Sequence, residues 1–163
     1  MAILKIREYP DPVLSMKAKS VGTIGPKELR LIQDMIETMY QEDGVGLAAP
    51  QVGISQRIIV VSPEGEPGEE EVYINPEIFE SSQDEEVGPE GCLSLPGVSC
   101  DVRRTKRIRL RALDLQGKQR TQDLKDFHAR VVQHEIDHLN GVLLIDRLDF
   151  NRRQMLLGSY RRL

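Results

Sequence analysis

Nowhere does the 163-residue chain carry an unbroken apolar run long enough to cross a bilayer, and its first residues, "MAILKIREYPDPVLSM", are interrupted too often for a signal peptide. A soluble protein with no membrane partner is expected. Cysteine is scarce: Cys92 and Cys100 are too few and too close together for a secreted disulfide framework, so the reducing cytoplasm is the simpler setting. Positive charge is not in excess either. A net charge of −4 argues against a protein that coats nucleic acid and gives no reason to expect DNA as a partner, although a local basic patch remains compatible with it. Repeats and dividing linkers are also missing, so residues 1–163 read as a single domain, large enough to bury a core without disulfides.

What is present reads as α+β. After Pro26, a good first helical residue, Leu29, Ile32, Met35, Ile36, Met39 and Tyr40 recur at helical spacing and stop before Gly44. "RIIVV" (57–61) and "VYIN" (72–75) read as strands separated by the acidic loop "SPEGEPGEEE". In "KRIRLRALDL" (106–115), Ile108, Leu110 and Ala112 alternate with Arg107, Arg109 and Arg111, which predicts a strand with one buried and one wet face. That alternation accounts for the arginines better than a nucleic-acid patch does. A turn at Gln116-Gly117 returns the chain toward "RTQDL" as a hairpin. A long helix follows, over about residues 126–140. The expected fold is therefore mixed or antiparallel strands packed around a central metal-binding helix, with an amino-terminal helix and a short carboxyl-terminal one.

The central helix carries "VVQHEIDHLNG" (131–141). Phe127, Val131, His134 and His138 share one face, while Val132, Ile136 and Leu139 cover another, so the helix is apolar on most sides. Histidines facing a core need a partner for each ring nitrogen. Neighbouring carbonyls can serve, but four-residue spacing suits a metal, and H-E-x-x-H on a buried helix favours it. Glu135 then sits beside the cation, placed to take a proton from water.

A third protein ligand is needed. No glutamate occurs after Glu135, which closes the thermolysin-like route, and Leu144 stands where a metzincin would place its third histidine. His128, six residues before His134, is about 120° away around the helix and reads as exposed. Aspartates stay open, but a thiolate is the stronger candidate by softness. Cys92, in the Gly/Pro-rich loop "PEGCLSLPG" (89–97), is preferred; Cys100 reads as a small packed hydrophobe.

"GVGLAAPQVG" (44–53), "EGCLSLPG" (90–97) and "QHEIDHLNG" (133–141) together resemble, in order and separation, the three motifs of the peptide deformylases, and "ILKIREYPDPVL" is similar to that family as well. The first motif also satisfies G-x-G-x-x-A, but it follows a helix and runs through Pro50 into a strand, the wrong context for a dinucleotide site. The resemblance implies that Cys92, His134 and His138 hold one divalent metal and that Glu135 is the general base or acid. It further implies that Gln51 and the Leu93 N–H meet the developing oxyanion, and that Val45, Gly46, Gly91 and Leu93 line the substrate channel. The implied reaction removes the formyl group from the amino-terminal formyl-methionine of nascent peptides and releases formate. The family implies Fe2+ in the cell, with Zn2+, Ni2+ or Co2+ able to occupy the same ligands. Gly88-Pro89 departs from the bulkier residue and acid of many relatives, which suggests a channel rim that is wider or differently shaped. Glu90 reads either as a tether for the loop or as a solvated acid. In "NRRQMLLGSYRRL" (151–163), Arg152, Arg153, Arg161 and Arg162 flank Met155, Leu156 and Leu157, a short helix whose basic character suggests contact with ribosomal RNA. Two rivals remain: a conventional zinc peptidase, and a noncatalytic module stabilised by metal.

Overall fold

The computed structural model describes residues 2–161 and, within the last helix, the side chains through Tyr160. Helix α1, Pro26–Gln41, begins at the expected proline, and Glu28 accepts a hydrogen bond from the Gly25 N–H at 2.9 Å, satisfying a donor at the helix start. Strand β1, Gly46–Ala48, follows, then a single 3-10 turn, Ala49–Val52, and strand β2, Ile58–Val61. Pro50 therefore lies in a tight turn between two strands and not in a strand.

Strands β3 (Glu71–Ser81), β6 (Arg107–Leu113) and β7 (Gln119–Lys125) complete an antiparallel sheet in the order β1-β2-β3-β6-β7. The unbroken apolar run of β2 has a physical reason: both faces are covered. Ile58 and Val60 pack with Ile32, Met35 and Met39 of α1, while Ile59 and Val61 face Val132, Ile136 and Leu139 of helix α2, Asp126–Leu139. In β6, Ile108, Leu110 and Ala112 are buried as the alternation predicts. Arg109 on the other face pairs with Glu80 at 3.1 Å and Asp123 at 2.9 Å and lies over the Phe79 ring, an exposed cross-strand arrangement that needs no nucleic acid.

One element departs from the sequence reading. The segment around Cys92 is not a free loop: β4 (Glu85–Cys92) and β5 (Leu95–Thr105) form a two-stranded hairpin whose tip is Leu93-Ser94. A third apolar cluster, Leu14, Leu95, Val102, Leu143, Leu144, Ile145 and Leu157, fastens this hairpin to the chain after α2. Cys100 belongs to its margin, as a packed thiol. Helix α3, Phe150–Arg161, ends the described chain; Leu157 is buried and Met155 is 75% exposed. Of the arginines singled out there, Arg152 donates to the Asp101 carbonyl at 2.8 Å and Arg153 pairs with Asp146 at 2.9 Å. The side chains of Arg161 and Arg162 lie outside the described residues. Among the described residues no helix is long and apolar enough to cross a membrane.

Candidate active site

Helix α2 and the β4–β5 hairpin meet so that Cys92, at the end of β4, faces the two histidines of the helix. One atom from each of Cys92, His134 and His138 falls in a group no more than 4.8 Å across, and Cys92 Sγ lies 3.4 Å from His138 Nε2. That separation is close to the about 3.5 Å between a thiolate and an imidazole nitrogen sharing one tetrahedral cation. Cys100 lies opposite Glu90 in the hairpin register and outside this group. The donor set, one soft thiolate and two imidazoles, fits a divalent transition metal and leaves room for a fourth ligand.

His134 is oriented from behind. Its Nδ1 lies 2.9 Å from Glu90 Oε1, and because an ionised carboxylate only accepts, Nδ1 donates and Nε2 is left toward Cys92. Glu90 is buried, not solvated: it also accepts from Arg104 Nε at 2.9 Å, Arg104 Nη2 at 2.8 Å and Arg130 Nη1 at 2.7 Å. Burial alone would raise its pKa, but the bonds from Arg104 and His134 outweigh it and hold the carboxyl well below the usual range. Arg104 continues to Asp137 at 2.6 Å, and Asp137 accepts from Arg147 at 2.6 Å. Burial disfavours the proton on His138, which is held far below its ordinary pKa, with the charges of His134 and Arg104 adding to the effect.

Glu135 projects from the same helix toward β1. It is buried, Oε1 has no hydrogen-bond partner among the described residues, and burial pushes its pKa up to about 7. Gly46 makes this placement feasible, since a Cβ there would lie 2.5 Å from Glu135 Oε2. Gln51 is held at both ends of its amide. Oε1 accepts from the Ala48 N–H at 2.9 Å, and Nε2 faces Ser94 Oγ at 3.1 Å and Cys92 Sγ at 3.7 Å.

These groups lie along a cleft of about 830 Å³, with Val45, Gly46, Gln51, Gly91, Cys92, Leu93, His134 and Glu135 on its wall. Of the catalytic, metal-binding and channel residues expected from the sequence, all lie on this wall except His138, which stands in the donor group with Cys92 and His134 but outside the lining set. Two readings change. His128 is half-buried, its Nε2 3.2 Å from Tyr73 Oη, and not exposed; it is not a member of the donor group. Of the two rim shapes that Gly88 suggested, the wider one does not hold, because the Arg130 guanidinium packs against the glycine and fills the space a side chain would take. Ser94, Arg104, Arg130, Asp137 and Arg147 were not legible as site residues. Their one sequence signal is charge on an otherwise apolar helix, at Arg130 and Asp137.

Comparison with known proteins adds an independent observation. The family model described as polypeptide deformylase matches residues 3–154. A peptide deformylase of Dictyoglomus thermophilum is 54% identical over 145 residues, 89% of this chain and 92% of that protein. One of Pseudothermotoga lettingae is 46% identical over 151 residues, 93% of this chain and 86% of that protein. The crystal structure of a peptide deformylase from Legionella pneumophila superposes with a TM-score of 0.94 at 41% identity, covering 98% of this chain and 94% of that one.

Proposed function

The chain belongs to the polypeptide deformylase family, and from that premise we propose how its own residues remove the formyl group from the amino terminus of a new polypeptide. The observation that carries the assignment is convergence: the Gln51 amide, the Cys92 thiol, His134 and the unpartnered Glu135 carboxyl meet along one cleft. Cys92, His134 and His138 hold a divalent cation, and Fe2+ is the cellular metal we favour, with Zn2+, Ni2+ or Co2+ compatible with the same donors. When bound, that ion supplies Lewis acidity, making water a better nucleophile and a carbonyl a better electrophile.

The remaining work falls to the protein. Glu135, with a pKa near neutrality, can take a proton as attack begins and return it to the departing amine. Charge develops on the formyl oxygen, and the Gln51 amide and the Leu93 N–H donate toward it, stabilising the transition state more than the substrate. Ser94 and the Ala48 N–H fix the Gln51 rotamer in advance. Val45, Gly46, Gly91 and Leu93 hold the peptide extended along the cleft. A formyl group is small enough to enter where an internal peptide bond is excluded by bulk, which separates this site from that of a general peptidase.

Metal analysis of anaerobically purified protein, with formate release from a formyl-methionyl peptide, tests the assignment. One metal per chain and formate only from the formylated peptide are expected; cleavage of unformylated peptides at a similar rate would overturn it. Cys92→Ala should lose the metal and Cys100→Ala should keep it, and the reverse would move the third ligand to Cys100. In the cell, the same reading places the protein, as one catalytic domain, in the cytoplasm beside emerging chains, with the basic carboxyl-terminal segment against ribosomal RNA phosphate. Ribosome pelleting that falls steeply with salt, and falls further when Arg152, Arg153, Arg161 and Arg162 are changed to Gln, is the expected result. Equal pelleting by both proteins would remove that contact.

A further inference from the structure

Arg130, His134 and His138 follow one another at four-residue spacing, so the guanidinium lies one turn before the first histidine on the same face of α2. It reaches across to the strand that carries Cys92. Nη2 donates to the Glu86 carbonyl at 2.8 Å; Nη1 donates to the Val102 carbonyl at 2.9 Å and Glu90 at 2.7 Å, and approaches the Gly88 carbonyl at 3.5 Å. One side chain of the histidine helix therefore holds three alternate residues of β4, Glu86, Gly88 and Glu90, and the opposite strand at Val102. The next alternate residue of β4 is Cys92.

Gly88 is the seat of this contact. A Cβ there would lie 3.2 Å from both Cζ and Nη2 of Arg130, tighter than an ordinary contact. Glycine at 88 and arginine at 130 thus form a matched pair. The thiol and the histidines arrive on different elements, 42 residues apart in sequence between Cys92 and His134, so their spacing depends on how firmly β4 is held to α2.

We propose that Arg130 is a positioning residue for the metal donors: by fastening β4 to α2 across Gly88, it sets the distance of the Cys92 thiol from His134 and His138. This rests on the metal-site reading above. Arg130→Met keeps the length of the stem and removes the donors; Gly88→Ala keeps the donors and shifts them by a few tenths of an ångström. Both variants, the double variant and the parent are loaded with Co2+. The readouts are the cobalt–thiolate absorption, the rate of Co2+ loss to a chelator and the melting temperature of the metal-free protein. Arg130→Met should lose Co2+ about 10–100-fold faster, the usual effect of removing a group that orients a ligand, with a weakened thiolate band; Gly88→Ala, which only displaces the guanidinium, should change both in the same direction by less. The double variant should be no worse than Arg130→Met, because a methyl group added at position 88 does harm only when the guanidinium is there to be displaced. Unchanged Co2+ loss in Arg130→Met, additive losses in the double variant, or a lowered metal-free melting temperature with an unaltered thiolate band would each overturn the proposal. A parent protein that takes up no Co2+ overturns the metal reading itself, and the positioning role with it.

Discussion

Glu135 and Gly46 constrain each other. The carboxyl is buried against a backbone with no side chain, and an added methyl would intrude to 2.5 Å of Oε2. Gly46→Ala should therefore leave the metal in place but turn the proposed base aside, and a misplacement of about 1 Å is enough for roughly 10²-fold in turnover. Glu135→Ala, which removes the proposed base, should lose about two to four orders of magnitude with metal content near normal. If Gly46→Ala turned over normally, the carboxyl would have room that the geometry denies it. Gln51 separates a structural from a chemical role. Its Oε1 tethers Ala48, so some loss of stability is expected on any substitution, yet its Nε2 faces the thiol and the residue lines the cleft. Gln51→Ala should cost about two to three orders of magnitude in turnover, and Gln51→Glu more, because a carboxylate repels the oxygen that the amide attracts. Formate release, metal content and melting temperature measured on the pair decide this; equal and modest losses in both would reduce Gln51 to a tether.

The elements differ in how openly the sequence declares them. β2 and β6 were legible because burial writes itself directly into residue type: both faces covered at "IIVV", one face covered at "RIRLRAL". Helix α2 and its two histidines were legible for the same reason. The β4–β5 hairpin was not. "EEVGPEGC" and "LPGVSCDVRRT" are rich in Gly, Pro and charge, and what holds them is cross-strand hydrogen bonding and the buried ions behind His134. Glu90, Arg104, Asp137 and Arg147 look like solvated surface in sequence, since nothing local tells a buried charge from an exposed one. Only the meeting of hairpin and helix makes them a network, and its stability carries a prediction. Arg104 is 5% exposed between Glu90 and Asp137, so Arg104→Met would leave two buried carboxylates short of a partner. A loss of about 3–5 kcal/mol is expected from a broken buried pair. Urea unfolding measures it. Arg109→Met, at an exposed pair on β6, should leave the midpoint where it was. Equal shifts in the two would mean that burial of the Arg104 network adds nothing.

At the scale of the whole molecule, the proposed cation site and the fold stand on different supports. Three apolar clusters hold the structure: α2 on the sheet, α1 on its other face, and the hairpin on the segment after α2. His134 and His138 occupy one face of α2, while Val132, Ile136 and Leu139 anchor its other face to the sheet, so the helix does not depend on the metal to stay docked. A site that closed the fold would bind four protein ligands and unfold without its ion, whereas this donor set has three among the described residues. Chelation should therefore abolish formate release while the metal-free protein keeps its circular dichroism and a cooperative melt. Loading still stabilises by mass action, about 2.7 kcal/mol at a hundredfold excess of free metal over Kd, which for a chain of this length raises the melting temperature by roughly 5–10 °C. Activity should return on anaerobic addition of Fe2+, Ni2+ or Co2+ to the same folded protein. A metal-free chain that lost its helical signal together with its activity would instead make the ion part of the architecture, and would mean that the faces of α2 are not as independent as their packing indicates.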